Sequence, residues 1–250
     1  MDLTNKIALI TGGSRGIGRA ISLTLAEAGA TVVVNYLRKK SAADELDQLM
    51  QSKGLSCRFI RANVEDEAEI DRLMGEITHE FGRLDILVSN AVFGVVKPVT
   101  EIKRKHWEKT LNTNAAALLT LAQRMAEIPG SSGGSIIALT SLGGQRVLPG
   151  YSVVGASKAA IESLVRYLAV ELAPRGIRVN AIAPGVVETE SLQYFPDADK
   201  IVREAKEKTP LKTLTTPEDV ARLALFLCGD SSSKITGQII TIDGGYSLPG

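Results

Sequence analysis

The sequence predicts an α/β fold, with one doubly wound, seven-stranded parallel sheet and helices on both faces. Three observations carry that expectation. Short β-branched runs alternate with longer amphipathic segments along the whole chain. Several of these runs are almost continuously apolar, as strands covered on both faces must be. The first run also leads directly into a glycine-rich turn that opens a helical pattern, the start of a βαβ unit.

Strands are expected at 6–11 (KIALIT), 31–36 (TVVVNY), 56–62 (SCRFIRA), 84–90 (LDILVSN), 134–141 (GSIIALTS), 177–183 (IRVNAIA) and 237–243 (GQIITID). Helices are expected at 16–29, 41–53, 66–81, 101–127, 151–173 and 217–228. Ser41, Pro149-Gly150 and the TPEDV of 216–220 mark helix starts. Gly29, Gly54, Gly82 and Gly176 stand where helices should stop. With no linker, low-complexity segment or fixed-period repeat, the chain reads as one domain over 1–250. Only 185–215 breaks the rhythm. It is polar, carries Pro196 and Pro210, and is too long for an ordinary connection, so a substrate lid is expected over about 188–212.

At 250 residues and 44% hydrophobic, the chain is long enough for one large domain with a substantial core. Lys plus Arg number 29 against 28 Asp plus Glu, so no global field points to nucleic acid or membrane. No apolar stretch reaches the roughly 18 residues of a transmembrane helix. The start, MDLTNKIALIT, has an acid at position 2 and too short an apolar run for a signal peptide. A soluble, cytoplasmic protein is expected. Cys57 and Cys228 are isolated and read as small buried hydrophobes, and His79 and His106 lie in polar helical contexts. No metal site is expected.

The turn after the first strand is TGGSRGIG. Gly12, Gly16 and Gly18 let the backbone turn tightly and approach a pyrophosphate, and the following helix presents free N–H groups and its positive dipole end. Gly12, Ser14, Arg15, Gly16, Ile17 and Gly18 are therefore candidate cofactor contacts. Dinucleotide preference is read at the end of the second strand, where a carboxylate would hold the ribose 2′-OH of NAD. Here stand Asn35, Tyr36, Leu37, Arg38, Lys39 and Lys40, and Arg15 can point to the same place. Cations without a carboxylate suit a 2′-phosphate, so NADPH is the expected cofactor.

The chemistry-bearing pair is Tyr151 and Lys158. Seven residues is two helical turns, which would put both side chains on nearly one face. A neighbouring ammonium would favour phenolate, lower the tyrosine pKa and make a tuned proton donor.

In combination these residues resemble the short-chain dehydrogenases/reductases, a family of single-domain Rossmann folds. The resemblance rests on TGGSRGIG, Asn63-Val64, Ser89-Asn90-Ala91, Asn114, Ser141, Lys158, the PGVVET run at 184–189 and the terminal IDGG. It implies Asn63 and Val64 beside the adenine, and Asn90 and Ala91 beside the cofactor ribose. It further implies Pro184, Gly185, Val187 and Thr189 around the nicotinamide and pyrophosphate. Lys158 would hold the nicotinamide ribose, and Asn114 a proton-relay water. Two departures stand out. Val92 replaces the glycine that usually follows the Asn-Ala pair. The usual Tyr-x3-Lys spacing would put tyrosine at 154, which is valine, whereas Ser141 keeps its usual 17-residue distance from Lys158.

A displaced tyrosine has chemical meaning. In ketone reduction, hydride lands on the carbon bearing the oxygen that is protonated. In enoyl-thioester reduction it lands on the β-carbon, and charge develops on the thioester oxygen farther away. Tyr-x6-Lys is the spacing of enoyl-acyl-carrier-protein reductases in this superfamily. SLGGQRVLPGYSVVGASKAA, LNTNAAALL and SLQYFPDADK resemble the NADPH-dependent FabL-type members. The resemblance therefore implies NADPH-dependent reduction of trans-2-enoyl thioesters in fatty-acid synthesis, with Tyr151, Lys158, Ser141 and Asn114 catalytic. The alternative is a carbonyl or 3-oxoacyl thioester reductase. A third reading is a non-catalytic NADPH-binding protein, against which retention of Asn114, Ser141 and Lys158 argues. Phe93, Leu148, Tyr151, Leu192, Tyr194 and Phe195 are candidates for an acyl channel. Lys103, Arg104, Lys105, Arg124, Arg166 and Arg175 could attract an acidic acyl-carrier protein, with a coenzyme A thioester as the other substrate form. The resemblance also implies a homotetramer built on the helices expected at 101–127 and 151–173.

Overall fold

The computed structural model describes residues 1–190, 192 and 197–248, with Ala198 described by its backbone alone. Seven strands form one parallel sheet: β1 (Ile7–Ile10), β2 (Thr31–Tyr36), β3 (Cys57–Arg61), β4 (Ile86–Ser89), β5 (Ser135–Leu139), β6 (Arg178–Pro184) and β7 (Ile239–Ile242). Their spatial order is β3-β2-β1-β4-β5-β6-β7. The order reverses between β1 and β4, whose register pairs Ala8 with Ile86 and Ile10 with Val88. A ligand cleft is expected beyond the carboxyl ends of strands at such a reversal.

Eight α-helices accompany the described strands: α1 (Gly16–Glu27), α2 (Lys40–Ser52), α3 (Glu67–Phe81), α4 (Arg104–Leu111), α5 (Ala117–Glu127), α6 (Ser152–Leu172), α7 (Ala198–Lys208) and α8 (Pro217–Cys228). Alternate strand residues feed two cores. Leu9, Val33, Leu87 and Ile136 meet apolar side chains of α3, α5 and α6. Ala8, Ile10, Val34 and Ile137 meet those of α1, α2 and α8. The sheet interior is therefore dry on both faces, at roughly 1.5–3 kcal/mol of stabilisation per fully buried aliphatic side chain. Gly82 ends α3 with a φ of 67°, a left-handed conformation that glycine adopts without strain.

Three expectations about elements change. The helix expected over 101–127 is divided by a π turn at Asn112–Ala116, flanked by α4 and α5. The polar stretch 185–215 contains α7, whose first turn carries Asp199 and whose last carries Lys206 and Lys208, charges that suit the helix dipole. And α6 begins at Ser152 rather than 151. The Pro149-Gly150 turn, with Gly150 at φ 68°, delivers Tyr151 as the residue just before the helix, at φ −98° and ψ 11°. Cys57 and Cys228 are half-buried rather than buried, and burial pushes their thiols up to about 11 and about 12. Among the described residues no helix is long and apolar enough to cross a membrane, and no cluster of His, Cys, Asp or Glu is placed to hold a metal ion.

Candidate active site

The site begins at the strand reversal. Asn90, just past β4, donates its side-chain amide to the carbonyls of Thr11 (2.9 Å) and Gly12 (3.1 Å), and the backbone N–H groups of Asn90 and Ala91 donate to Thr11 Oγ1. The glycine loop is thereby fixed against the end of β4. A Cβ placed on Gly18 would collide with the Gly12 carbonyl and lie 2.5 Å from Asn90 Nδ2, so a side chain there would break this junction. Arg15 precedes α1 in extended conformation. No side chain caps the helix, and its first turn holds no acid, which leaves the N–H groups and dipole free for an anion.

A cleft of about 480 Å³ opens from this loop. Gly12, Ser14 and Arg15 form one wall, Asn35–Lys39 and Ala62–Glu65 the second, and Asn90–Gly94 the third. This chemistry fits a dinucleotide phosphate: a helix N-terminus for the pyrophosphate, and Arg15 and Lys39 with no carboxylate from β2. Asn35 is present but committed inward, donating to Ala62 O at 3.0 Å and accepting from Gly12 N at 3.4 Å. It shapes the loop through its side chain. Thr189 lies 3.6 Å from where a Gly16 side chain would begin, and Gly185 is crowded by Asp243, so the 184–189 run is pinned at the loop's edge. Its last neighbour, Glu190, reaches across to Arg15 and Lys39.

Three of the catalytic candidates lie just past β5, just before α6 and within α6. Ser141 follows β5 and accepts from Gly143 N at 3.2 Å; its Oγ stands 3.5 Å from the Tyr151 hydroxyl. The sequence left the partnership of these two residues open, and the structure brings them together. Burial pushes the Tyr151 phenol up, opposed by the Ser141 hydrogen bond, which corrects the expectation of a phenol lowered by Lys158. The physical reason is burial, which disfavours the phenolate, while Lys158 donates its ammonium to Leu139 O at 2.6 Å. Lys158 itself is buried, and desolvation lowers it to about 8 against the opposing pull of Glu162.

Asn114 sits in the π turn, a local widening often found at functional sites. Its amide donates to Phe93 O and Ser157 Oγ and accepts from Phe93 N, each at 2.9 Å. It therefore fixes the strand that leaves β4 against α6. Val154, where the usual tyrosine would stand, is buried, and a Cβ on Gly94 would collide with its Cγ2.

The substrate candidates separate. Leu148 and Tyr151 border a cavity of about 500 Å³ with Lys97, Val99, Arg146 and Ala156. Phe93 lines the dinucleotide cleft instead, its ring 5.0 Å from Lys109 Nζ. Leu192 is half-buried beside Thr189, and Tyr194 and Phe195 fall outside the described residues. Sequence reasoning missed Glu162, buried on α6, which accepts from Thr140 Oγ1 (2.9 Å) and Gln145 Nε2 (3.0 Å) and so ties the Ser141 turn to the lysine helix. A glutamate four residues after the lysine was the available signal. It also missed Gly143, where a Cβ would fall 2.5 Å from the Tyr151 ring.

Residues 12–247 match a family model described as enoyl-(acyl carrier protein) reductase. The chain is 37% identical over 245 residues to a 1-cyclohexenylcarbonyl-CoA reductase of Streptomyces collinus, covering 97% of this chain and 87% of that one. It is 36% identical over 247 residues to the 3-oxoacyl-[acyl-carrier-protein] reductase FabG of Staphylococcus epidermidis, covering 98% and 100%. A short chain dehydrogenase from Burkholderia cenocepacia, crystallised in complex with NADP, superposes with a TM-score of 0.92 at 32% identity, covering 99% and 100%.

Proposed function

Because the chain belongs to the short-chain dehydrogenase/reductase superfamily, we propose that it is an NADPH-dependent oxidoreductase that reduces the carbon–carbon double bond of trans-2-enoyl thioesters. The observation that carries this reading is the source of the phenol. Val154 is packed into the place of the usual tyrosine, and the hydroxyl near Ser141 comes from Tyr151, before the helix.

When bound, NADPH supplies a hydride to the β-carbon of the thioester, so negative charge develops on the thioester oxygen. Tyr151, held protonated by its buried setting, hydrogen-bonds that oxygen and gives it a proton as the charge develops. The enol then becomes the saturated thioester, its α-carbon taking a solvent proton as the O–H proton returns to the phenolate. Ser141 orients the phenol. Lys158 leaves Leu139 O to hold the nicotinamide ribose, and below about pH 8 it carries the positive charge that assists Tyr151. Asn114 keeps Phe93 and the β4 exit in place beside the cofactor. Arg15, Arg38 and Lys39 take the 2′-phosphate, and 188–212 closes over the substrate as a lid.

A second reading, reduction of a 3-oxoacyl thioester, is favoured by the Ser141–Tyr151 pairing. That pairing gives a carbonyl oxygen two neighbouring hydroxyl donors. The name of the FabG relative supports it as well, so relatives' names support it at least as strongly as the enoyl reading. For the substrate carrier, an acyl-carrier protein or coenzyme A fits both readings. The cytoplasm is the compartment we propose; for a homotetramer, support comes from the superfamily and from the outward apolar Tyr167 and Val170 of α6.

The two readings separate in one assay. NADPH absorbance is followed with crotonyl-coenzyme A and, separately, acetoacetyl-coenzyme A. Oxidation with crotonyl-coenzyme A alone is the expected result. Oxidation with acetoacetyl-coenzyme A alone would replace the enoyl reading with the carbonyl one, and oxidation with neither would favour a non-catalytic NADPH-binding protein.

A further inference from the structure

Glu190 lies one residue beyond Thr189, on the segment that leaves β6. Its Oε2 accepts from Lys39 Nζ at 2.7 Å and from Arg15 Nη1 at 3.2 Å. Those two cations come from different elements, the glycine loop and the start of α2, and both border the dinucleotide cleft. Without a carboxylate from β2, Arg15, Arg38 and Lys39 are the charges that border the cleft for an anion at the ribose 2′ position, and Arg15 and Lys39 are the two that Glu190 engages. A carboxylate carried by a distant part of the chain, 151 residues from Lys39, is already held between them.

We propose that Glu190 is a specificity-determining residue, an internal anion that competes with the cofactor 2′-phosphate for Arg15 and Lys39. A phosphate and a carboxylate cannot share two cations without mutual repulsion, so binding of the 2′-phosphate turns Glu190 away. Glu190 therefore weakens the affinity for 2′-phosphorylated nucleotides while leaving 2′-hydroxyl nucleotides untouched. Lys39 and Arg15 hold the Glu190 carboxyl below the usual carboxylate range, so this anion persists at neutral pH. Lys39, Arg15 and Glu190 are each about half-exposed, which keeps the competition modest and dependent on salt.

The inference rests on the NADPH reading, and its test keeps the two apart. Binding of 2′,5′-ADP and of 5′-AMP is measured by titration calorimetry on the wild-type chain and on Glu190→Gln, at low and high salt. Glu190→Gln should bind 2′,5′-ADP about three- to tenfold more tightly, with 5′-AMP unchanged and the gain shrinking at high salt. If wild type prefers 2′,5′-ADP but the substitution leaves its affinity unchanged or weaker, the Glu190 inference falls while the cofactor reading stands. If both proteins bind the two nucleotides equally, the NADPH reading falls and the inference goes with it.

Discussion

Replacing Gly143 by Ala tests the seat of the proton donor without touching the donor. A Cβ built on Gly143 would lie 2.5 Å from Tyr151 Cε1 and 2.6 Å from Cδ1. Carbon atoms rest at about 3.5 Å, so the ring or the Ser141 turn must move by roughly 1 Å. Gly143 does not have a positive φ, so the alanine adds crowding with no left-handed backbone strain. The neighbouring residues resist the displacement. Gly155 packs against the Gly143 carbonyl, and Glu162 holds the turn through Thr140 and Gln145. Misplacing a catalytic group by about 1 Å can cost on the order of a hundredfold in rate. Gly143→Ala should therefore lower kcat for crotonyl-coenzyme A about 30- to 100-fold. The NADPH Kd should stay within about twofold, because Gly143 lies outside the dinucleotide cleft. Full kcat in this variant would show that Tyr151 is not held where the chemistry needs it, and the mechanism would fail.

Other expectations concern the lysine and the glycine loop. Lys158 is lowered to about 8 by burial, so its charge is lost as pH rises through that value, and kcat/KM should fall above about pH 8. Glu162→Gln removes the carboxylate that supports the charge and should move this alkaline limb to lower pH; an unmoved limb would separate Glu162 from Lys158. For folding the sign is opposite. The unfolded lysine holds its proton up to about 10.5, so between about 8 and 10.5 this group makes stability rise with pH. Lys158→Met should flatten that rise in urea titrations. Gly18→Ala, whose Cβ meets the Gly12 carbonyl and Asn90, should weaken NADPH binding at least tenfold, read by direct titration; retained affinity would remove the loop from the cofactor site.

Much of this was legible in the sequence because the signals are local. Apolar runs such as IALI and TVVVNY state a two-sided strand by themselves, and TGGSRGIG states a turn that only a βαβ start requires. Tyr151 shows where local reading stops. Its spacing from Lys158 suggests a shared helical face, but the spacing alone conveys neither that Pro149-Gly150 leaves Tyr151 as the residue just before the helix nor that its phenol stands beside Ser141. The π turn around Asn114 was hidden inside a continuous helical pattern, because its geometry comes from tertiary bonds to Phe93 and Ser157. In the same way Glu162 and Glu190 read as ordinary helix and loop charges. Their meaning lies in partners 17 to 175 residues away, which no periodicity encodes.

The proposed mechanism requires Tyr151, standing before the helix, to do the work usually assigned to a tyrosine at position 154. Turnover of crotonyl-coenzyme A by Tyr151→Phe, with the NADPH Kd measured on the same preparation, tests it most directly. A loss of about a hundredfold or more in kcat with an unchanged Kd is the expected result. Turnover equal to the wild type would contradict the claim and send the search for a proton donor elsewhere in the site.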